Sequence, residues 1–214
     1  MINDYLKFFR TDNTVIETPR LILRRMRTGD RDDMYDYAKR KEVTKYLLWK
    51  EHKTRDHTAR YLNYVVSLYK TGEFFDFAVE YRENGKMIGT CGFASVDPKN
   101  DCVEIGYVLS PDYHGMGLAT EALEATLRFA FCDVCVNRAE ARYMVENTAS
   151  RRVMEKCQMT FEGIYRKKLF VKDKYRDIGV CAILSEDYFK NHEDKSALSS
   201  RQVRNSVWSG FFLK

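Results

Sequence analysis

The spacing of apolar and polar residues divides the first half of the chain into short strands and helices. Apolar side chains alternate over residues 21–26, which predicts a first strand. Over residues 54–69 they recur every three or four positions, which predicts an amphipathic helix that ends at Gly72. Two strand-like runs then flank Asn84 and Gly85, a dipeptide typical of a tight hairpin turn.

The second half continues with an apolar strand, a glycine-bearing loop and a helix. The strand covers residues 102–109 and the helix residues 119–131. A strand over 138–145, a helix over 148–157 and two final strands joined at residues 172–174 complete the order. This order predicts an α/β (α+β) fold with a mixed, mostly antiparallel central sheet of about six to seven strands and helices on both faces.

Length and composition indicate one folded domain with two flanking segments. The chain has 214 residues, of which 44% are hydrophobic, enough for a sizeable core. We expect an N-terminal extension over 1–17, the domain over 18–190 and a polar tail over 191–214. The tail ends in Trp208, Phe211 and Phe212, which predicts docking on its own domain or on a second subunit, hence a possible homodimer. A docking peptide for another partner is the alternative.

Charge and cysteine usage narrow the functional classes. The net charge of +5 is dispersed along the chain and does not favour a nucleic-acid-binding protein. No apolar run reaches membrane-spanning length, and charged residues interrupt the first ten positions, unlike a signal peptide. The six cysteines lie mostly in apolar segments, as buried free thiols do in a reducing compartment. Cys132 and Cys135 lack a second ligand pair nearby, so we expect a cytoplasmic protein with no metal site and no membrane partner.

The loop between residues 110 and 122 carries the clearest chemical signal. Gly115 and Gly117 stand between an apolar strand and an amphipathic helix. Glycine allows positive φ, and the first amides of a helix attract negative charge, so the loop can hold a phosphate. It has no lysine for a Walker A motif, and Thr120 occupies the third glycine position of a dinucleotide fingerprint. On these residues alone, a phosphate site and a plain tight turn both remain open.

Several motifs in the same order resemble one protein family. The run His114-Gly-Met-Gly-Leu-Ala is similar to the acetyl-CoA signature of GNAT acetyltransferases, although His114 replaces the usual Gln or Arg. The strand Thr18-Pro-Arg-Leu, the run Glu104-Ile-Gly-Tyr and the motif Asn147-x-x-Ser resemble the branch that contains ribosomal-protein-alanine N-acetyltransferases. The likeness covers about residues 18–189, whereas Gln158-Met159 departs from the Gly-Phe of that branch.

The resemblance implies acetyl-CoA as co-substrate and a set of residues that bind it. Loop amides would hold the pyrophosphate, and Asn147 would bond the pantetheine arm from the opposite side. The end of the preceding strand would splay from its neighbour, pair with the same arm and polarise the acetyl carbonyl. The implied cofactor-binding residues are Val108, Leu109, Ser110, His114, Gly115, Met116, Gly117, Leu118, Ala119, Thr120 and Asn147.

Two residues are candidates for proton transfer. Glu104 lies in an otherwise apolar strand and is the candidate base that deprotonates the amine, directly or through water; a structural glutamate paired with arginine is the alternative. The resemblance implies that Ser150 protonates the departing thiolate. Equally, Thr148 or Ser150 could cap the following helix.

The resemblance implies an acetyl-CoA-dependent N-acetyltransferase that uses direct attack in a ternary complex. The branch resemblance implies a protein N-terminal amine as acceptor. A small amine, such as a polyamine or an amino-sugar, is an alternative because fold does not determine substrate. A non-catalytic acetyl-CoA-binding regulatory module is the alternative from another class.

Overall fold

Eight strands form the sheet of the protein, for which a computed structural model describes residues 14–192. Most of the predicted extension and nearly all of the predicted tail lie outside the described residues. The strands are β1 (Ile16–Glu17), β2 (Leu21–Arg24), β3 (Phe75–Tyr81), β4 (Lys86–Asp97), β5 (Cys102–Leu109), β6 (Arg138–Met144), β7 (Thr160–Val171) and β8 (Lys174–Leu184).

The strands lie in the order β1-β2-β3-β4-β5-β6-β8-β7. Six of the seven neighbouring pairs are antiparallel, and only β5 and β6 run parallel. The crossover between these two strands contains the loop with Gly115 and Gly117, so that loop sits at the one parallel junction of the sheet. The predicted mixed, mostly antiparallel sheet is confirmed, with β1 as an additional short edge strand.

Within residues 14–192, six α-helices accompany the sheet, with their ends set by local sequence. They are α1 (Arg31–Ala38), α2 (Lys41–Thr44), α3 (Arg55–Thr71), α4 (Leu118–Arg128), α5 (Thr148–Lys156) and α6 (Ser185–Asn191). The Thr54 hydroxyl accepts a hydrogen bond from the backbone N–H of His57 at 3.1 Å and caps α3. Gly72 ends that helix in the left-handed conformation at φ 73°, as the sequence predicts.

Helices cover both faces of the sheet. Phe77 and Ala78 are neighbours in β3, so their side chains point to opposite faces. Phe77 belongs to the larger hydrophobic cluster, which includes α4, whereas Ala78 belongs to a second cluster with α1 and α3. Each cluster therefore fixes one helical layer against the sheet.

The structure differs from the predicted helix over 119–131 at its end. After α4 the backbone forms a π-helical turn over Phe129–Val134, which ends at Cys135 with φ 63°. Phe129, Ala130 and Phe131 are all buried, although three consecutive residues cannot share one α-helical stripe. The wider π turn directs all three toward the core, where Phe129 stacks on Phe93 at a centroid distance of 5.9 Å.

Candidate functional site

A cleft of about 510 Å³ opens where β5 ends. Its walls come from the C-terminal part of β5, the glycine loop, the start of α4, the exposed side of α5, and α2 with the turn after it. Predicted site residues that line it are Val108, Leu109, His114, Gly115, Gly117, Leu118, Ala119, Thr120, Asn147 and Ser150. Segments that lie far apart in the sequence thus meet around one cavity.

The strand edge that faces the cleft is free of sheet pairing. β5 pairs with β6 only at Cys102, Val103 and Glu104, whereas β5 continues to Leu109. On its other side β5 pairs with β4 along its whole length. Within the described residues, positions 105–109 therefore have no ladder partner on the β6 side, so backbone N–H and C=O groups there can bond a ligand.

The loop after β5 has the conformation that its glycines predict. Gly115 and Gly117 have φ angles of 76° and 77°, which residues other than glycine rarely adopt. Gly117 is the N-cap of α4, so the first amides of this helix point toward the cleft end of the loop without intrahelical acceptors. In this geometry the backbone amides at the start of α4 are available to an anion such as a phosphate.

The Thr-Pro-Arg motif before β2 holds this loop in place. Arg20 donates from Nη1 to the Met116 carbonyl oxygen at 2.8 Å and from Nε to Glu121 Oε2 at 2.7 Å. The Thr18 hydroxyl and the Arg20 backbone N–H bond the other Glu121 oxygen at 2.6 and 3.0 Å. Although desolvation raises the pKa of Glu121, the hydrogen bonds from Thr18 and Arg20 outweigh it and lower that pKa. We call Thr18, Arg20 and Glu121 the loop clamp.

Three other predicted residues, His114, Met116 and Ser110, make contacts within the loop or lie outside the cleft. His114 Nε2 lies 3.1 Å from the Leu109 carbonyl oxygen, so its ring closes the base of the loop. Met116 is exposed, and Ser110 is buried with its backbone N–H bonded to the Ile88 carbonyl at 2.7 Å. Neither Met116 nor Ser110 lines the cavity.

Asn147 and Ser150 meet a tyrosine at the start of α5. Asn147 caps α5, since its Oδ1 accepts from the Ser150 backbone N–H at 3.3 Å. The Tyr107 hydroxyl lies 2.9 Å from both the carbonyl oxygen and the Oγ of Ser150. Burial raises the pKa of Tyr107, so this phenol stays neutral and can exchange a proton with the Ser150 hydroxyl. Ser150 thus does not itself cap the helix.

Glu104 lies outside the residues that line the cleft. It sits on the sheet face opposite Val103 and Ile105, 3.4 Å from the Arg142 guanidinium, and keeps 23% of its side chain exposed. Burial raises the pKa of Glu104 even though Arg142 opposes the shift. A raised pKa suits a base, and the arginine contact suits the structural alternative.

Sequence reasoning missed several residues of the cleft. Tyr46 and Leu47 follow α2, Tyr107 precedes the loop, and Glu42 and Lys156 supply charges. Glu42 is the only carboxylate among the cavity-lining residues in the part of the chain that the structure describes. Lys156 precedes Cys157, whose thiol contacts the Thr120 carbonyl at 3.6 Å, which places the lysine near the loop. Only the fold reveals α2 as a wall, because its sequence contains no motif.

Comparison with known proteins identifies the family of the chain. Residues 20–160 match the family model described as the acetyltransferase (GNAT) domain. The chain belongs to the GNAT acetyltransferase family. It is 30% identical to the uncharacterized N-acetyltransferase p20 of Bacillus licheniformis over 80% of this chain and 96% of that protein. The [ribosomal protein uS5]-alanine N-acetyltransferase of Escherichia coli is 24% identical over 81% of this chain and 92% of its own length.

A solved structure of the GNAT family shows the same architecture. An acetyltransferase from Bacillus anthracis superposes with a TM-score of 0.72 at 29% identity, over 81% of this chain and 99% of its own. The predicted family, fold and enzyme class, an N-acetyltransferase, are therefore confirmed. GNAT enzymes use acetyl-CoA. Among the described residues, no helix is long and apolar enough to cross a membrane, and no three His, Cys, Asp or Glu side chains form a metal-binding group.

Proposed function

We propose that this N-acetyltransferase moves acetyl from acetyl-CoA to the N-terminal amine of a protein or peptide, by direct attack in a ternary complex. The observation that carries the proposal is the joining, in one cleft, of a glycine loop at a helix N-terminus, an unpaired strand edge and the Tyr107–Ser150 pair. The predicted domain limits, 18–190, belong to this proposal, and β1 adds residues 16–17 to the sheet.

The residues that face the cleft fit acetyl-CoA. Amides of residues 115–120 and the ammonium of Lys156 suit the pyrophosphate, because the loop combines positive φ angles with a helix N-terminus. Val108 and Leu109 lie at the part of β5 that has no β6 partner. This edge can pair with the pantetheine arm, except through the Leu109 carbonyl, which His114 already contacts, and Asn147 lines the same cleft. Ser110 and Met116 support the loop through their backbones, and His114 fixes its base.

Acetyl-CoA supplies the thioester. The protein must remove one proton from the acceptor amine and deliver one proton to the departing sulfur. The acceptor amine has to be neutral before it attacks, and an α-amino group titrates near ~8. We propose Glu104 as the base, acting through water, since it lies at the point where β5 and β6 separate. Ser150, with its proton shared with Tyr107, protonates the departing sulfur. Backbone N–H groups of the β5 edge polarise the carbonyl oxygen.

A protein acceptor is supported by the relatives rather than by the cleft alone. The E. coli protein that is 24% identical acts, by its name, on an alanine of ribosomal protein uS5. A second E. coli relative, 28% identical over 45% of this chain, is named a ribosomal-protein-serine acetyltransferase. These names support an N-terminal amine on a protein as the acceptor class.

The experiment is acetylation of defined acceptors by the purified full chain. N-terminal Ala and Ser peptides are compared with N-terminally blocked copies and with polyamines and amino-sugars, while free thiol release and mass spectra are recorded. Acetylation of free N-termini alone is expected. Turnover of the small amines alone would refute the acceptor class. Binding of acetyl-CoA without turnover on any amine would favour the regulatory module.

A further inference from the structure

The short helix α2 bridges the cofactor loop and the β7–β8 hairpin. Arg40, just before α2, forms two hydrogen bonds of 2.6 Å with the carboxylate of Asp112, in the turn that leads into the glycine loop. At the other end of α2, the Lys172 ammonium donates to the Thr44 carbonyl oxygen. The wall between these attachments includes Glu42, which lines the main cleft. The N-terminal end of α2 is thus attached to the glycine-loop side of the cleft, and its C-terminal end, at the β7–β8 hairpin, lies on the side away from that loop.

A second cavity, of about 460 Å³, opens at this hairpin end. Glu42 lines both cavities, so the second one adjoins the main cleft. Its walls come from α2, from the segment after it and from the hairpin turn. They carry four lysines and two glutamates: Lys41, Lys45, Lys50, Lys172, Glu42 and Glu51. We call this cavity the lysine pocket.

The lysine pocket has an excess of positive charge that its own carboxylates do not neutralise. Glu51 also pairs with Lys53, whose ammonium lies 3.6 Å away and which does not line the pocket. Its negative charge is therefore divided between Lys53 and the pocket lysines. Burial lowers the pKa of Lys172, Glu51 opposes this shift, and the charges of Arg176 and Lys50 add to it. Four ammonium groups around one cavity create a site suited to a carboxylate.

The hairpin turn holds Lys172 in an unfavourable backbone conformation. Lys172 and Asp173 have φ angles of 51° and 62°, and they form a two-residue turn where Gly or Asn is favoured. A left-handed residue other than glycine costs about 1 kcal/mol. This backbone places the lysine against α2, and local strain of this kind concentrates at functional sites.

We propose that the lysine pocket binds an acidic side chain of the acceptor, so that the enzyme prefers N-termini followed within a few residues by Asp or Glu. The proposal rests on the proposed function. The pocket adjoins the cleft on the side away from the glycine loop, so a peptide whose amine enters the cleft can continue into it. The same positive charge disfavours a protonated amine nearby and thus helps the acceptor lose its proton.

The cofactor's own phosphates are the competing source of an anion. The glycine loop and Lys156 already supply a phosphate site at the other end of the cleft. The bidentate Arg40–Asp112 pair also occupies the arginine that precedes α2. The arrangement therefore leaves the four lysines of the pocket to the acceptor.

The test compares peptides that differ only in charge. N-terminal Ala peptides with Glu or Gln at the second to fourth positions are assayed with the wild type, with a Lys45→Gln/Lys50→Gln variant and with Lys70→Gln as control. Lys70 is an exposed lysine in the last turn of α3. For the wild type and the control, kcat/KM is expected to be about tenfold higher for the acidic peptides. In the double variant the preference falls to within about twofold, because the acidic peptides lose more rate than the neutral ones.

Two binding measurements separate this inference from the proposed function. Peptide affinity is measured by fluorescence anisotropy with CoA present, and acetyl-CoA affinity by calorimetry. Tighter binding of acidic peptides without turnover supports the pocket and refutes the function, whereas acetylation of acidic and neutral peptides at equal rates refutes the pocket alone. Weaker acetyl-CoA binding by the double variant assigns the lysines to the cofactor and overturns the inference. Absence of both peptide binding and turnover overturns both proposals.

Discussion

The loop clamp makes a prediction that links the N-terminal strand to cofactor affinity. Arg20→Gln removes the guanidinium bonds to Glu121 and to the Met116 carbonyl. The Thr18 hydroxyl and the Arg20 backbone N–H still bond Glu121, so the helix α4 keeps part of its anchor. The substitution therefore loosens the loop without removing its glycines.

The expected effect of Arg20→Gln on stability and on acetyl-CoA affinity follows from the solvent exposure of the Arg20–Glu121 pair. Hydrogen bonds to charged groups contribute about 1.5–3 kcal/mol when buried. The Arg20 side chain is 44% exposed, so solvent reduces the contribution to the free energy of unfolding to about 1 kcal/mol. Ordering a released loop residue costs about 1–2 kcal/mol, and acetyl-CoA binding must now supply this. The Kd for acetyl-CoA should rise about tenfold.

The assay is calorimetric titration of acetyl-CoA together with thermal unfolding, with Arg55→Gln as control. The Arg55 side chain is 57% exposed and pairs with Asp32 at 3.0 Å, and neither residue lines the cleft. Arg55→Gln removes an exposed arginine–carboxylate pair elsewhere and should leave the Kd unchanged. An equal loss of affinity in both variants, or a lower melting temperature for Arg20→Gln with normal affinity, would show that the clamp is structural only.

Three further predictions concern protons. Glu104→Gln should lower kcat about a hundredfold and remove the acidic limb of the pH–rate profile, whereas Glu42→Gln changes kcat only a few-fold; the reverse outcome would make Glu42 the base. Ser150→Ala should lower kcat about tenfold with an unchanged Kd for acetyl-CoA, and a change in Kd alone would refute its acid role. Burial raises the pKa of Asp76 to about 7, although part of the residue reaches solvent, and hydrogen bonds from Thr90 and Phe77 oppose the shift. The folded state therefore holds a proton that the unfolded state releases, and stability falls from about pH 4 to about pH 7. Between about pH 5 and about pH 8 the free energy of unfolding of the wild type should fall by about 2 kcal/mol more than that of Asp76→Asn, as measured by urea unfolding. The same pH dependence in both proteins would contradict this.

The parts of the fold that follow from local rules could be predicted from the sequence. The Asn84–Gly85 hairpin, the capped helix α3 and the glycine loop each combine periodicity with a turn or cap residue. The π-helical turn at Phe129 could not, because it results from three consecutive buried side chains that meet distant strands. The strand β1 has two residues and no periodicity to detect.

The two halves of the site differ in the same way. Most of the proposed cofactor half lies in one continuous stretch from β5 to α4, which Asn147 and Lys156 join from α5. Within that stretch residue type and backbone geometry depend on each other, so the sequence marks it as a candidate site. The proposed acceptor half is assembled by contacts across the chain: Arg40 with Asp112, and Lys172 with the Thr44 carbonyl, which are 128 positions apart. Each residue there is an ordinary surface charge when read alone, and α2 has only four residues. A cofactor loop that local sequence determines can therefore stay constant while a few distant charges change the acceptor, which is why the lysine pocket, rather than the loop, is where substrate choice should be tested.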